Sequence, residues 1–461
     1  MKMRICFVLS FLIYLFNLSC FAQFTVEGTL AKNANQKIQL LGFEGIQAYL
    51  IEETRTDAKG HFSMSYTAED YGIGYLSISQ VENQILVLAK ENISIQANAL
   101  SDKNNLKFLQ GKQNKLFNTY TKEFDINQNV LGAWQYLAET YRNNSHLKAR
   151  QNSLENILNE IESLKKVNQH LIQKLPENSY IQWFIPVRKI VSDVSYIAQN
   201  QPELIPENLT AFRNIKHDND LFYKSGLYKD AFEGHFWLIE NSGLSQDEAF
   251  AEMKKSIDII VENLAFDDEK MNQTGEFLFQ FLESRSLFEA SEYLAVKLLN
   301  ESSCTLNSNL EKQLEVYRKM KPGNIANNIV FDGDVFKSGT KISVSNLNEL
   351  QSEYYLIAFG SSWCPACVEE LPKLQEEYAN LQQKGVEIVM ISLDTSKQQF
   401  QNFTKDFDFY AASDYKKWDT QAVSDYYVFS TPTLYLIDKN RKILLRPNSV
   451  ERAKNWILQN L

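Results

Sequence analysis

The sequence is poor in the residues that break or cross-link a chain. Its 461 residues include only 9 prolines, 17 glycines and 5 cysteines, whereas tyrosine (22) and phenylalanine (29) are plentiful. This balance excludes an intrinsically disordered or low-complexity protein, because aromatic residues supply the apolar surface that folding buries. So few cysteines also exclude a scaffold held together by disulfides. At this length we expect two to four folded domains.

A basic surface is missing as well. The chain has 57 acidic and 47 basic side chains, a formal net charge of −10, and no cluster of lysine and arginine interleaved with aromatic residues. Proteins that bind nucleic acid normally carry such a basic patch. We therefore expect no nucleic acid partner, and the acidic balance bears mainly on solubility.

Long apolar runs occur only at the start of the chain. The basic residues Lys2 and Arg4 precede an apolar run at 5–16, which is typical of an export signal and too short to span a bilayer comfortably. Small residues at Cys20 and Ala22 predict cleavage after Ala22. Residues 1–22 are thus expected to be a signal peptide, and the mature protein is expected in the periplasm or cell envelope. No later segment is apolar for long enough to form a transmembrane helix.

Cys20 leaves a second interpretation of the N-terminus open. If Cys20 were lipidated after Leu18 and Ser19, the protein would carry a lipid anchor on a membrane. Asn17 stands where a bacterial lipoprotein signal usually has leucine, so we favour cleavage after Ala22.

Residues 23–105 show the alternation of a β-rich domain. Apolar and polar residues alternate at 93–96 with the period of a strand. In the segment 56–62, Asp57 and Gly60 lie between two β-rich stretches, which is typical of a hairpin turn. We expect six or seven short strands that form a small β-sandwich.

Residues 106–321 change to a helical pattern. One predicted helix face carries apolar residues at intervals of three and four: Leu154, Ile157, Ile161, Leu164, Val167, Leu171 and Leu175. Ser245 and Glu248 form a capping-box signature ahead of a second stripe, made of Phe250, Met253, Ile257, Ile260 and Leu264. We expect these stripes to form the core of a helical domain, although they could serve as a partner-binding surface. The sequence assigns no chemistry to this region.

A Lys-Pro-Gly-Asn sequence at 321–324 ends the helical pattern, and a further domain is expected at 325–461. Strands are predicted at 354–360, 386–393 and 433–438, with a helix from Cys364 onward. Alternation of strands and helices favours an α/β layer. The expected fold class is therefore multidomain, with an N-terminal β-sandwich, a central all-α region and a C-terminal α/β domain.

Cys364 and Cys367 form a close pair where a predicted strand passes into a predicted helix. Two cysteines three positions apart at a helix start bring their sulfur atoms within bonding reach. The first cysteine also lies where free N–H groups and the helix dipole favour negative charge. In such motifs the thiol pKa falls from about 8.5 to roughly 3.5–7.5. Cys364 is therefore the predicted attacking thiol, and Cys367 would resolve the mixed disulfide.

A zinc site is the main alternative for a cysteine pair at this spacing. Such a site needs two further ligands, usually a second pair of cysteines or histidines. All five histidines precede Cys364, which disfavours zinc. Cys304 is the remaining cysteine outside residues 1–22, and we expect a thiol without a role there rather than a resolving or regulatory one.

The segment 359–372, Phe-Gly-Ser-Ser-Trp-Cys-Pro-Ala-Cys-Val-Glu-Glu-Leu-Pro, resembles the active-site segment of the TlpA/ResA group of thioredoxin-like proteins. The resemblance extends over about 325–461. Ser-Thr-Pro-Thr at 430–433 is similar to the cis-proline loop of the family, and 438–442 is similar to its β-hairpin. The Thr-Asp-x-x-Gly-x-Phe turn at 56–62 resembles the N-terminal β-domain found ahead of such domains in Bacteroidetes proteins.

The resemblance implies how a client protein would be held. Pro432 is expected to be cis, its loop to face the dithiol, and the Thr431 backbone to pair with the client chain. Trp363 and Pro365, which flank Cys364, are expected to contact the client as well. The family uses its redox-active disulfide as the reacting group, so neither a metal nor another cofactor is expected.

The resemblance also gives Glu370 a role. It matches a family glutamate that lies near the dithiol and influences proton transfer. Ala358 stands where thioredoxin itself keeps a buried aspartate, which leaves Glu370 as the candidate to manage the Cys367 proton. A solvated surface carboxylate is the alternative.

We therefore expect an exported thiol–disulfide oxidoreductase that reduces disulfides of client proteins, for example during cytochrome c maturation, and receives electrons from an upstream membrane donor. The preference for reduction comes from the resemblance. The alternative is a cell-envelope binding or scaffold protein, in which the residues before the α/β domain hold a partner and the redox pair is regulatory or incidental.

Overall fold

A computed structural model describes residues 23–461 apart from 80, 103–104, 148–149, 301–305, 308–309, 312–313 and 315–317. The predicted signal peptide, with Cys20 and Ala22, lies outside the described residues, and so does Cys304. By its internal contacts the chain divides into two compact units. The first runs to Pro186 and includes Lys224–Gly226, and the second comprises Val187–Tyr223 and Leu227–Leu461. The boundaries of the predicted domains 23–105, 106–321 and 325–461 remain predictions.

The first unit begins with a β-sandwich. Its strands are β1 (Gln23–Leu30), β2 (Lys37–Glu44), β3 (Gln47–Arg55), β4 (His61–Thr67), β5 (Gly72–Ser77), β6 (Asn83–Leu88), β7 (Ile93–Ala97) and β8 (Lys107–Gln110). They form two sheets, with the strand orders β4-β1-β7-β8 and β3-β2-β5-β6. Side chains of both sheets, such as Val26 on β1 and Leu40 on β2, are fully buried in one apolar core. The predicted sandwich is confirmed, but its described part has eight strands rather than six or seven, and the last strand, β8, lies after residue 105.

The turn between β3 and β4 is not the predicted hairpin. Asp57 Oδ1 accepts hydrogen bonds from the N–H groups of Lys59 (2.7 Å) and His61 (2.8 Å), and Gly60 has a φ of +80°. The local turn chemistry is thus as expected, yet β3 pairs with β2 whereas β4 pairs with β1 in the other sheet. The hairpin prediction is wrong because pairing depends on which apolar faces the whole chain buries together, not on the turn alone.

Two long helices follow in the first unit, α1 (Lys112–Asn143) and α2 (Gln151–Gln173). They pack through a small apolar cluster, Leu131, Ala138, Ile157 and Ile161. Val167, predicted to belong to the same buried stripe, is 45% exposed. A pair of helices buries only a narrow seam on each partner, which is less than the full face that the sequence pattern predicts.

The helices that follow α2 are α3 (Tyr180–Ser192), α4 (Val194–Asn200), α5 (Ile205–Arg213), α6 (Asp220–Tyr223), α7 (Tyr228–Glu240), α8 (Gln246–Leu264), α9 (Asp268–Ser284) and α10 (Phe288–Asn300). The limit between the units falls inside α3. At the start of α8 the predicted capping box is confirmed, because Ser245 and Glu248 each accept a hydrogen bond from the backbone of the other. The predicted apolar stripe of α8 is buried throughout.

The C-terminal part of the second unit is an α/β domain. Its strands are β9 (Asp334–Lys337), β10 (Thr340–Ile342), β11 (Tyr354–Gly360), β12 (Val386–Ser392), β13 (Tyr410–Ser413), β14 (Thr433–Asp438) and β15 (Ile443–Leu445). Its helices are α11 (Pro365–Gln383), α12 (Lys397–Thr404), α13 (Gln421–Asp425) and α14 (Val450–Asn460). The strands form one sheet in the order β10-β9-β13-β12-β11-β14-β15.

β11 is an interior strand of this sheet and leads directly to the cysteine pair. It is parallel to β12 and antiparallel to β14. Alternate side chains enter two separate cores, Ile357 and Phe359 on one face and Leu356 and Ala358 on the other. Burial on both faces explains why the segment reads as a continuous apolar run. The predicted multidomain fold class is confirmed. Within the described part of the chain, no helix combines the length and apolar character needed to cross a membrane.

Candidate redox site

The two predicted cysteines meet at the start of α11, directly after β11. Cys364 is the N-cap residue, with an extended backbone (φ −92°, ψ 113°), and the Cys367 N–H points at its Sγ at 3.2 Å. The two sulfur atoms form a disulfide, and the Cα atoms are 5.2 Å apart. Pro365 occupies the first helical position, where a residue without an N–H is best tolerated. Local sequence therefore sets the geometry of the pair.

Cys364 is the more accessible of the two cysteines. It is 6% exposed, whereas Cys367 is fully buried. Both contact the apolar core on the α11 face of the sheet, together with Ala358 and Leu371. Gly360 leaves room for this packing, because a Cβ there would clash with Leu371 and lie 3.5 Å from Cys367 Sγ. Cys364 is therefore the cysteine of the pair that solvent can reach.

The position of Cys364 suits thiol–disulfide exchange. The first N–H groups of a helix lack partners within the helix, and the positive end of the dipole lies there, so a thiolate at the N-cap is stabilised. The Cys367 N–H already points at the sulfur that would carry this charge. Among the described residues, no group of three or more histidine, cysteine, aspartate or glutamate side chains is placed to hold a metal ion.

The loop before β14 contacts Cys364. The Thr431 carbonyl oxygen lies 3.2 Å from Cys364 Sγ, although the two residues are 67 positions apart. The Thr431–Pro432 peptide bond is cis, the geometry that the resemblance implies. Thr433 Oγ1 donates to the Ser430 carbonyl oxygen at 2.7 Å and closes the loop. We call residues 429–433 the cis-proline loop. The fold thus brings Cys364, Thr431 and Pro432 together.

Trp363 lies beside Cys364 and is 42% exposed. Its indole N–H donates to the Leu393 carbonyl oxygen at 3.4 Å, and its ring makes an edge contact with Trp418, with centroids 6.3 Å apart. The Lys417 ammonium lies 4.9 Å from the centre of the Trp363 ring. Sequence reasoning did not connect Trp418 or Lys417 with the site. Contact of Trp363 with a client remains a prediction.

Asp394 supports the loop that precedes Cys364, and sequence reasoning missed it. This carboxylate is fully buried. It accepts hydrogen bonds from the Ser362 N–H (3.2 Å), the Ser362 hydroxyl (2.6 Å) and the Ser392 hydroxyl (2.8 Å). A signal was present, since Asp394 follows β12 and the carboxyl ends of parallel neighbours such as β11 and β12 meet at one sheet edge.

Glu370 lies on α11 one turn after Cys367, but its carboxylate has other partners. One oxygen pairs with Lys373, and the other accepts a hydrogen bond from the Val450 N–H at 3.3 Å. Val450 is the first residue of α14, so Glu370 also lies at the positive end of that helix dipole. Both contacts are of the kind that an ionised carboxylate makes. The part of Glu370 in handling the Cys367 proton remains a prediction.

Known proteins are similar to parts of this chain. A family model described as thioredoxin-like matches residues 352–443. The thiol-disulfide oxidoreductase ResA of a Bacillus cereus strain is 32% identical over 126 residues, which cover 27% of this chain and 69% of the relative. ResA of Bacillus subtilis (strain 168) is 30% identical over 100 residues, which cover 21% of this chain and 54% of the relative.

Among solved structures, a thioredoxin-like protein from Bacteroides caccae ATCC 43185 matches with a TM-score of 0.36 and 16% identity, over 55% of this chain and 94% of that protein.

The family match spans both the cysteine pair and the cis-proline loop. The resemblance noted in the sequence and the predicted enzyme class, thiol–disulfide oxidoreductase, are therefore confirmed. The chain belongs to the ResA-like thiol–disulfide oxidoreductases of the thioredoxin superfamily.

Proposed function

We propose that this protein is an exported reductase of protein disulfides, in which Cys364 attacks the client and Cys367 resolves the mixed disulfide. The observation that carries the proposal is the position of Cys364. It caps α11, is the more exposed of the pair, and lies 3.2 Å from the carbonyl oxygen of Thr431 in the cis-proline loop. An extended client segment that paired with the Thr431 backbone would bring its disulfide to Cys364.

In the proposed cycle the Cys364 thiolate attacks one sulfur of the client disulfide and forms a mixed disulfide, while the other client sulfur leaves as a thiolate. Cys367 then loses its proton and attacks Cys364 Sγ, which releases the second client sulfur and forms the Cys364–Cys367 disulfide. The client gains two electrons and two protons, and the dithiol loses the same number. A dithiol donor must restore the reduced pair, and we propose a membrane protein for this step.

Reduction is favoured over disulfide formation by the resemblance to the TlpA/ResA group. The proposed clients are exported proteins with disulfides, for example those reduced during cytochrome c maturation. Equilibration of the purified full-length protein with glutathione buffers measures the reduction potential of the pair. We expect a reduction potential well below the potentials of enzymes that form disulfides. A value near that of a strong oxidant such as DsbA would contradict the proposed direction.

Turnover tests the roles of the two cysteines. Reduction of insulin disulfides, with dithiothreitol as the electron donor, is compared for the wild type, Cys364→Ser and Cys367→Ser. Both variants are expected to lose turnover by about 100-fold or more, because each lacks one of the two exchange steps. When the reduced proteins are mixed with insulin without dithiothreitol, Cys367→Ser alone should accumulate a mixed disulfide, because no second thiol is present to resolve it. Equal turnover in Cys364→Ser would overturn the proposal and favour the scaffold alternative.

Export is proposed from residues 1–22. Mass spectrometry of the mature protein should find Gln23 at the N-terminus. A lipid-modified Cys20 would support the anchored form instead, and a retained signal segment would contradict export.

A further inference from the structure

We propose that Glu283 on α9 and Arg446 after β15 are positioning residues that hold the cis-proline loop in register with Cys364. This inference rests on the proposed function, in which that loop presents the client. It gives the helical region, to which the sequence assigns no chemistry, a part in the redox reaction.

The two side chains form a buried ion pair within the second unit. Glu283 is 0% and Arg446 5% exposed at their side chains, although the residues are 163 positions apart. The guanidinium donates from Nη2 to Oε2 at 2.6 Å and from Nη1 to Oε1 at 3.2 Å. The Ser291 hydroxyl on α10 also donates to Oε1. A two-pronged contact of this kind fixes orientation as well as distance.

Aromatic rings hold the guanidinium from the side. Its central carbon lies 3.7 Å from the centre of the Phe288 ring, which belongs to α10, and 5.2 Å from that of Tyr435 on β14. Arg446 is thus held between a helix of the helical region and the strand that the cis-proline loop enters. The attraction between a cation and aromatic faces adds to the ion pair.

Helix α9, which carries Glu283, also contacts the loop itself. The Ser430 hydroxyl donates to the main-chain oxygen of Glu283 at 3.2 Å, and the Phe279 ring makes an edge contact with Phe429 at 6.2 Å between centroids. Ser430 immediately precedes Thr431, whose carbonyl oxygen lies 3.2 Å from Cys364 Sγ. One turn of α9 therefore contacts the two residues that precede the reacting end of the loop.

Positioning explains this arrangement better than stability does. A buried ion pair is weak evidence for stability, because the cost of removing two charges from water offsets most of their attraction. Its directional hydrogen bonds nevertheless allow one arrangement of α9 against β14 and β15. The ion pair thereby sets the position of the cis-proline loop relative to Cys364. A shift of the loop by about 1 Å is enough to impair a reaction that needs aligned groups.

This role predicts a difference between large and small substrates. A protein disulfide needs the loop backbone as a pairing edge, whereas a small aromatic disulfide such as dithiobis(nitrobenzoate) needs only access to Cys364. Loss of loop register should therefore raise the KM for a protein substrate and spare the small one. A general loss of folding would lower both activities together.

The test compares Glu283→Gln with the wild type in insulin reduction and in single-turnover reaction of the reduced protein with dithiobis(nitrobenzoate). We expect the KM for insulin to rise about tenfold, while the rate constant for the small disulfide stays within about twofold. Glu252→Gln is the matched control, because Glu252 pairs with Arg213 between α8 and α5 at 2.7 Å. This control should change neither value.

Ser430→Ala is a second variant, because it removes only the hydroxyl bond to α9 and leaves the ion pair intact. We expect a rise of about threefold in the KM for insulin. It keeps the test decisive if Glu283→Gln fails to fold. An unchanged KM in Ser430→Ala, or equal losses on both substrates in folded Glu283→Gln, would overturn the inference. A wild type that cannot reduce insulin would instead refute the proposed function.

Discussion

At the scale of single residues, Asp394 fixes the turn that precedes the cysteine pair. It is fully buried, and its carboxylate collects hydrogen bonds from Ser362 and Ser392. Ser362 lies two positions before Cys364, so Asp394 ties the turn between β11 and α11 to the end of β12. Removing a buried acceptor that has several donors lowers the free energy of unfolding by more than one hydrogen bond contributes, because each donor is left without a partner.

Asp394→Ala is therefore expected to lower the free energy of unfolding by about 3 kcal/mol. Urea denaturation followed by circular dichroism measures this change. Asp406→Ala is the matched control, since the Asp406 side chain is 83% exposed, and it should change the value by less than about 0.5 kcal/mol. If the two variants are equally stable, Asp394 does not support the loop.

Glu370 yields a prediction for proton handling. If its negative charge acts on Cys367, then removing that charge should make the thiolate easier to form. In a Cys364→Ser background, Glu370→Gln is expected to move the pH midpoint of Cys367 alkylation downward by up to about one unit. Iodoacetamide labelling with mass spectrometry measures the profile.

The control for this experiment lies on the same helix. Glu377 pairs with Lys454 on α14. Glu377→Gln should leave the alkylation profile of Cys367 unchanged. If Glu370→Gln leaves the alkylation profile of Cys367 unchanged, Glu370 does not act on the Cys367 proton. Its role would then be confined to its contacts with Lys373 and the Val450 N–H.

At the scale of elements, the start of α8 follows from local sequence. The capping box of Ser245 and Glu248 satisfies backbone N–H groups that the helix itself leaves free. Ser245→Ala is expected to lower the free energy of unfolding by about 1 kcal/mol. Hydrogen exchange of the first amides of α8 should speed up, whereas amides near its end at Leu264 should not.

A double-mutant cycle tests whether the two side chains act as a unit. If they do, the combined loss in Ser245→Ala with Glu248→Ala is smaller than the sum of the single losses. Additive losses would mean that the reciprocal contacts contribute nothing beyond each side chain alone.

Pairing between elements was harder to predict than the elements themselves. The turn at 56–62 has the residues of a hairpin, yet it joins strands of two sheets. The seam between α1 and α2 is narrower than the apolar pattern of α2 indicates, because Val167 remains exposed. In both cases a local pattern is satisfied, but the partner is chosen by packing over a longer range.

For the whole molecule, two buried histidines link stability to pH. His217 is packed among aromatic rings such as Phe212 and Phe232. Within the described residues, neither of its ring nitrogens has a hydrogen-bond partner. Burial lowers its pKa from the usual 6.5 to about 3. Burial also holds the pKa of His235 well below the usual value.

Because these rings stay neutral in the folded chain but take up protons when it unfolds, stability is greatest above pH 6.5 and falls as the pH drops from 6.5 toward 3. His217 contributes a slope of about 1.4 kcal/mol per pH unit in this window, and His235 adds to it in the same direction. Urea denaturation between about pH 6 and pH 4 measures the slope. His217→Leu should make it shallower by about that amount, whereas replacement of the exposed His146 by alanine should not. An unaltered slope in His217→Leu would contradict the assignment.

The sequence alone determined the cysteine pair, the strand before it and the helix after it. Periodicity, capping and helix-start preferences act over a few residues, so they can be read along the chain. The family motif extended this reading to Pro432 and its loop. The same reasoning did not find Glu283 and Arg446, which meet only through folding.

Only the tertiary structure decided the surroundings of that pair. Asp394 and Ser362 follow two neighbouring strands and form a hydrogen bond there. Glu283 pairs with Arg446, which is 163 positions away in the sequence. A buried carboxylate gives no local sign of its partner, because the partner is set by which surfaces the whole chain removes from water. The cysteines predicted to react could therefore be identified from sequence, whereas the contacts that surround them depend on the packed fold.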